Sequence, residues 1–208
     1  MILLQSSKAQ HVFWLGRYLT RIQYLCSQFP FYDNQAALQY AHAFCLPAFD
    51  ASSLNVLLFD EEQPSSFAQQ FQAARHNIQA LDEVFSAQTY SELKQLIHTA
   101  DNNTAYICEV AAECKEVIEL ESEDIFIFFS LGQNIEQLNR QIRLKQDQTA
   151  TLIELDKIIT LLSKIRGSRI KKVWQQLKRE GYVIARCTVV RLMQKLGIQG
   201  VWRGKNKQ

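Results

Sequence analysis

The sequence predicts an all-α protein: a helical bundle with an internal repeat, followed by a small C-terminal helix-turn-helix module. Three observations predict it. Apolar residues return at spacings of three and four through most of the chain, and no stretch alternates with period two for long enough to make a strand. The phrase Phe13-Trp14-Leu15-Gly16-Arg17-Tyr18-Leu19-Thr20-Arg21 has a counterpart in Phe129-Ser130-Leu131-Gly132-Gln133-Asn134-Ile135-Glu136-Gln137. Charge divides sharply: residues 1–163 hold ten Lys and Arg against twenty Asp and Glu, and residues 164–208 hold thirteen against one, Glu180. A break of that size predicts two domains, 1–163 and 164–208, with different partners.

Each helix has its own signals. Ser6 or Ser7 caps the first, and Ala9, Val12, Phe13, Gly16, Leu19, Ile22 and Cys26 form its inner face up to Phe29-Pro30. Asn34 opens the second, with Leu38, Ala41, Phe44 and Cys45 inward and Pro47 as the stop. Ser52 or Ser53 opens a short third helix through Leu57. After the connection Phe59–Ser66, the residues Phe67, Phe71, Ala74, Ile78, Leu81 and Phe85 make the clearest amphipathic stripe in the chain. Thr89 caps the next helix, with Leu93, Leu96 and Ile97 inward, and Asp101-Asn102-Asn103 is a turn. Thr104 caps another, through Ala111 and Ile118. Ser122 with Glu123 and Asp124 starts the helix of the second Leu-Gly copy, because anions suit that end of the helix dipole. It runs to about Lys145. A last bundle helix follows Thr149 or Thr151, with Leu155, Ile158, Ile159 and Leu162.

A glycine inside a helix costs about 1 kcal/mol relative to alanine. The usual return is close approach of another backbone. Two helices with glycine at the same offset predict repeat halves that face each other across a core. Aligning Gly16 with Gly132 sets Thr20-Arg21 against Glu136-Gln137, so one copy keeps a cation and the other an anion. Arg21 and Glu136 are therefore candidate partners across the repeat. They either form a buried pair that fixes helix register or line a polar site. Two unrelated amphipathic helices that each carry Leu-Gly would give the same phrase.

The 47% apolar content is enough for a sizeable core. The N-terminus shows no signal-peptide pattern, and no apolar run reaches the ~18 residues of a membrane span. Cys26, Cys45, Cys108, Cys114 and Cys187 are odd in number and lack CxxC spacing. They read as reduced thiols, mostly small core residues, in a cytoplasmic protein.

Catalytic signatures are sparse. His11, His42, His76 and His98 are scattered with no HExxH, and no Glu is followed three residues later by His. Glu109, Glu113 and Glu116 share a helix face that reads as a solvated acidic surface before it reads as a metal site. There is no glycine-rich phosphate loop, and no metal or cofactor is expected.

Three features resemble the bacterial alpha-E domain family. They are Trp14-Leu15-Gly16-Arg17-Tyr18-Leu19-Thr20-Arg21; Phe59-Asp60 with Pro64-Ser65-Ser66 and Ala74-Arg75-His76-Asn77; and Leu131-Gly132 through Glu136. The resemblance covers about residues 3–145 and implies an all-helical fold. Members often accompany ATP-grasp-type ligases and transglutaminase-like proteins, which implies a role in making or modifying peptides, with no assigned catalytic chemistry. The family's signature is a Glu-Arg pair in each copy. Here the copies read Thr20-Arg21 and Glu136-Gln137, and His76 stands where the third motif usually has Glu.

From Gly167 the pattern changes. Ile170, Val173, Trp174 and Leu177 make a short apolar stripe. Tyr182-Val183-Ile184 turns the chain, and Val189, Val190, Leu192, Met193 and Leu196 line a second helix capped by Gly197. Two short helices in a basic segment read as helix-turn-helix. Arg186, Thr188 and Arg191 lie where base edges are reached, and Lys171, Lys172, Arg203 and Lys205 suit phosphates. The run from Gly167 to Lys205 resembles the helix-turn-helix near the start of an integrase-type transposase from a bacterial insertion-sequence family. In that family a core with three carboxylates follows, so strand transfer is not expected of these 208 residues alone. An insertion element joined in phase to an alpha-E gene would account for the charge switch.

The function expected from these readings is non-catalytic binding by the bundle, with an ATP-grasp or transglutaminase-like protein as partner and a transposase-derived tail. The alternative is a DNA-binding protein that grips duplex DNA through residues 164–208 and uses the acidic bundle for partners or dimerisation. A third reading is a catalytic bundle using Arg21 and Glu136. No membrane partner is expected.

Overall fold

The computed structural model describes residues 6–102 and 106–165. Among them are eight helices: α1 (Ser6–Gln28), α2 (Asn34–Phe44), α3 (Ala51–Phe59), α4 (Phe67–Gln79), α5 (Ala87–Asn102), α6 (Ile107–Glu119), α7 (Glu123–Arg143) and α8 (Gln148–Lys164). No strand occurs among the described residues. The chain divides into two compact units, Met1–Glu154 and Leu155–Gln208.

In the first unit α1 is the central element. It packs most extensively on α7, then on α4 and α6, while α5 packs on α6 and α2 on α3. The periodicity of α1 explains this: Val12, Leu15, Leu19, Ile22 and Leu25 are all almost fully buried. The α4 stripe behaves as its spacing predicts, since Phe67, Phe71, Ala74, Ile78, Leu81 and Phe85 are all buried although the helix ends at Gln79. Ile125–Phe129, a run of residue types that favour strands in isolation, lies within α7 and is helical.

Several helix starts differ from expectation by a residue or more. Asp33, rather than Asn34, caps α2 by accepting from the Gln35 amide. Asn34 instead accepts from the Ala51 amide at 3.0 Å and ties α2 to the start of α3. Asp50 caps α3 in a reciprocal box with Ser53. Ser86 Oγ accepts from the Thr89 amide, so Ser86 takes the capping place expected of Thr89, which is itself buried. In each case the earlier side chain reaches the free amides. The inner face of α2 is Ala37, Tyr40 and Ala41 rather than Leu38. Thr104 and Asn103 lie outside the described residues.

Cys26, near the end of α1, and Cys108, in the first turn of α6, are joined by a disulfide with their Cα atoms 5.7 Å apart. This corrects the reading of all five cysteines as reduced thiols. That reading rested on short spacings, whereas the bridge joins residues 82 apart in sequence, and only the packing of α6 on α1 brings them together. Cys45 is exposed and Cys114 buried, both as free thiols. Burial pushes the Cys114 thiol up to about 12, with help from the Glu113 charge, so it is inert core. Cys187 lies outside the described residues. No described helix is long and apolar enough to cross a membrane.

Candidate functional site

The site is built on the crossing of α1 and α7. A Cβ placed on Gly16 would overlap the Phe129 carbonyl oxygen and stand 3.3 Å from the Gln133 amide nitrogen. A Cβ placed on Gly132 would overlap the Phe13 carbonyl oxygen and stand 3.2 Å from the Arg17 amide nitrogen. Phe13 aligns with Phe129 and Arg17 with Gln133, so each glycine meets the counterpart of what the other meets. The two copies are therefore a symmetric pair of repeats, with backbone against backbone at the crossing. Burial keeps the same register: Val12 and Phe128, Phe13 and Phe129, Leu15 and Leu131, Leu19 and Ile135, Ile22 and Leu138 are buried in pairs.

One turn beyond the glycines the symmetry ends. Glu136 is buried, and its side chain is only 2% exposed. Arg21 Nε donates to Oε1 at 2.7 Å, and Arg21 Nη2 donates to Oε2 at 2.8 Å, which makes a two-pronged grip. Arg17 Nε donates to Oε2 at 2.9 Å. Arg21 Nη1 also donates to Gln70 Oε1 at 3.2 Å, and Gln70 Nε2 donates to the Pro64 carbonyl at 3.0 Å. The Pro64-Ser65-Ser66 motif thus holds the glutamine that steers Arg21, and Ser66 caps the helix that carries it.

Burial by itself would raise the Glu136 carboxyl. The Arg21 hydrogen bonds and the charges of Arg21 and Arg17 outweigh burial and hold it below the usual carboxylate range. Burial likewise opposes the Arg21 charge, and the hydrogen bonds to Glu136 reverse the effect and leave the guanidinium raised. The carboxylate is ionised at neutral pH and its main acceptor positions are engaged.

Aromatic rings flank the cations. The Arg17 guanidinium lies 4.8 Å from the Trp14 ring centroid, Arg21 lies 5.7 Å from Tyr18, and Arg140 lies 4.0 Å from Tyr24. Tyr24 stacks on Tyr40 with centroids 6.0 Å apart, and Tyr40 meets Phe44 at 4.6 Å. Arg143 Nη1 donates to the Ala43 carbonyl at 2.9 Å and pins the end of α7 against α2.

Of the residues singled out in the sequence, Arg21 and Glu136 come together. Arg17, Gln70, Tyr24, Tyr40 and Arg140 join them without having been singled out as site residues. The four-residue step from Arg17 to Arg21 was an available signal, since it places both on one helix face. Gln70 carried none. His11 Nδ1 lies 2.9 Å from Asn77 Oδ1, so the Ala74–Asn77 motif serves the α1–α4 contact. Glu109, Glu113 and Glu116 are exposed, and no group of three metal-ligating side chains occurs among the described residues. Lys171, Lys172, Arg186, Thr188, Arg191, Arg203 and Lys205 all lie outside the described residues.

Residues 167–206 match an HTH-like domain. A stretch of 52 residues is 48% identical to a transposase for insertion sequence element IS629 of Shigella sonnei, covering 25% of this chain and 17% of that protein. A stretch of 36 residues is 61% identical to a transposase for insertion sequence element IS3411 of Escherichia coli, covering 17% of this chain and 15% of that protein. A stretch of 38 residues is 58% identical to a putative transposase for IS986/IS6110 of Mycobacterium tuberculosis, covering 18% and 14%. The chain thus spans about a sixth of the length of these relatives. No solved structure matches. The other match reaches from residue 4 to residue 170, and it is to the Alpha-E family, described as a predicted alpha-helical domain with a conserved ER motif. Since that match takes in most of the 208 residues, this protein belongs to the Alpha-E family.

Proposed function

We propose that residues 1–163 are a non-catalytic binding module of the Alpha-E type, accessory to an ATP-grasp or transglutaminase-like peptide-modification system. Residues 164–208 are then a transposase-derived helix-turn-helix tail. The observation that carries the non-catalytic part of this reading is the state of Glu136. It is the most buried carboxylate of the crossing, and Arg21 and Arg17 hold it ionised with three hydrogen bonds. A general acid or base needs a proton to exchange near neutral pH. A carboxylate held below its usual range has none to give, and two bound guanidinium groups leave it little basicity. The cluster suits fixed geometry better than proton transfer, and no cofactor is invoked.

The test is co-purification of the full chain with an ATP-grasp or transglutaminase-like protein encoded beside it. A stable complex that survives Glu136→Gln is the expected result if the cluster only shapes the bundle. Failure of any such neighbour to co-purify sinks the accessory role. An enzymatic activity lost in Glu136→Gln with the helical fold intact sinks the non-catalytic one.

A second reading is favoured by the match of residues 167–206 to an HTH-like domain. In it the protein binds duplex DNA, with Arg186, Thr188 and Arg191 at base edges and Lys171, Lys172, Arg203 and Lys205 on phosphates. Binding then weakens with salt by a log–log slope of about −0.9 per neutralised phosphate, and it disappears when residues 164–208 are removed. Binding that ignores salt, or none at all, rejects this reading.

A further inference from the structure

The outer side of α3 presents large apolar side chains to solvent. Val56 and Phe59 stand one turn apart on it and are 69% and 53% exposed. Two more residues are drawn to the same helix. The Asn55 side chain accepts from the Phe31 amide and donates to the Phe31 carbonyl, each at 2.9 Å, which sets Tyr32 beside α3. The Phe49 amide donates to Ser53 Oγ at 3.0 Å, which sets Phe49 at the first turn. Tyr32 is 88% exposed and Phe49 77%. The support beneath is aromatic: the Phe59 ring meets Phe29 at 5.1 Å and buried Phe67 at 5.7 Å. Four of the ten large apolar side chains that stand exposed among the described residues therefore gather around one short helix. The rim is acidic. Between Arg21 and Arg75 the chain has Asp33, Asp50, Asp60, Glu61 and Glu62 and no lysine or arginine. Each exposed aromatic is followed directly by an aspartate: Tyr32 by Asp33, Phe49 by Asp50 and Phe59 by Asp60. Asn34 Oδ1 accepts from the Ala51 amide, so Asp33 and Asp50 belong to one end of α3, and Asp60, Glu61 and Glu62 to the other.

We propose that this surface docks a cationic amphipathic helix of a partner protein, with apolar anchors on one side and Lys or Arg toward both ends. Clustered apolar side chains on firm support, with a polar rim, have the character of an interaction patch. Charge selects the occupant. A second copy placed face to face sets acid against acid, and nucleic acid or an anionic lipid surface meets the same repulsion. A helix with cationic ends instead meets an acidic pair at the start of α3 and three acids at its end. α3 has nine residues, so about three to four turns of a partner helix cover it and reach both groups of acids. This inference rests on the reading of the bundle as a binding module and names the surface and the partner chemistry.

The experiment titrates the full chain with an alanine-rich helical peptide of about four turns that carries leucines on one face and lysines toward both ends. Fluorescence anisotropy gives the affinity and backbone amide shifts give the place. One control peptide has glutamate for lysine, and another has the leucines scattered. Expected are saturable binding that weakens with salt, little binding of either control, and shifts concentrated at Tyr32, Phe49, Val56 and Phe59. Phe49→Ser with Val56→Ser weakens binding at least about tenfold, as loss of anchor contacts does, and leaves the helical circular dichroism unchanged because both side chains are exposed. Glu61→Gln with Glu62→Gln weakens it less and flattens the salt dependence. Glu109→Gln with Glu116→Gln, on the exposed acidic face of α6, leaves it unchanged. Should the Phe49 and Val56 variant lose helix, the amide shifts of the wild type decide. Overturning results are no saturation, equal binding of either control, shifts centred elsewhere, or unchanged affinity in the folded Phe49 and Val56 variant. Equal weakening by the α6 changes also overturns it, as does self-association of the chain that this variant abolishes, which makes a second copy the occupant. The neighbour protein is tested on the same samples. A neighbour retained without peptide binding sinks the surface alone, and peptide binding without a neighbour sinks the accessory role alone.

Discussion

The two copies of the repeat agree in one respect and differ in another. At the crossing, Gly16 and Gly132 meet matching backbone atoms, and the buried residues around them pair in register. One turn later, Glu136 and Arg21 bond at 2.7 Å, while their counterparts Thr20 and Gln137 carry no charge. Close backbone packing is needed from both sides at once, so neither copy can give up its glycine. An ion pair is used once per crossing, and one side can lose it if polar residues remain. The comparison separates what the fold requires from what a site requires.

The sharpest way to break this comparison is at the glycines. Gly16→Ala and Gly132→Ala should each cost at least about 3 kcal/mol, above the common range for overpacking, because the clash is with backbone that cannot rotate away. Urea denaturation measures both. A loss below 1 kcal/mol in one of them would mean the two sides are not equivalent.

Next in size is the ion pair. Glu136→Gln should cost roughly 3–5 kcal/mol, since it removes the buried carboxylate that Arg17 and Arg21 share, and Arg21→Met should cost less, since Arg17 still pairs with Glu136. The counterpart changes Thr20→Ala and Gln137→Met should cost less than about 1 kcal/mol. Equal losses on the two sides would remove the asymmetry.

Acid titration tests the same carboxylate without a size change. Its folded pKa lies below the unfolded value of about 4.3. Its contribution is therefore full above that value and fades as pH falls through the folded pKa. Denaturation between pH 3 and pH 7 should show this acid-side loss in the wild type, and Glu136→Gln should flatten that component. An unchanged slope in the variant would assign the acid sensitivity to other groups.

The smallest effect is expected from restoring the missing charges. Thr20→Glu with Gln137→Arg should couple by about 0.2–1 kcal/mol in a double-mutant cycle, because both positions are half-exposed and water screens them. Coupling as strong as that of Arg21 with Glu136 would mean the second side is as sheltered as the first.

Much of the fold was legible because it depends on local periodicity. The α4 stripe and the α1 face are spaced as helices are and buried as the spacing implies. The glycine crossing was legible because two interior glycines at one offset have few other uses. The site was half legible. Arg21 and Glu136 stood out as an unmatched cation and anion, but Gln70 is neutral and enters only because α4 packs on α1. Arg140, Tyr24 and Tyr40 come from three helices, and no sequence spacing joins them. The cysteine bridge was misread for a related reason: proximity across 82 residues is a property of packing, not of spacing. The cap positions slipped because Asp33 and Asp50 precede the residues expected to cap and reach the free amides first.

The bridge between Cys26 and Cys108 also changes the topology of the covalent chain. It closes a ring that runs through α2, α3, α4 and α5. A single peptide cut anywhere in that ring leaves α1 attached to α6, and α7 follows α6 directly. The two helices that cross at Gly16 and Gly132 then remain on one molecule after the loop between them is opened. Their association stays intramolecular and independent of protein concentration. A nicked sample would run as one species until its disulfide is reduced, and only then would it separate into two pieces.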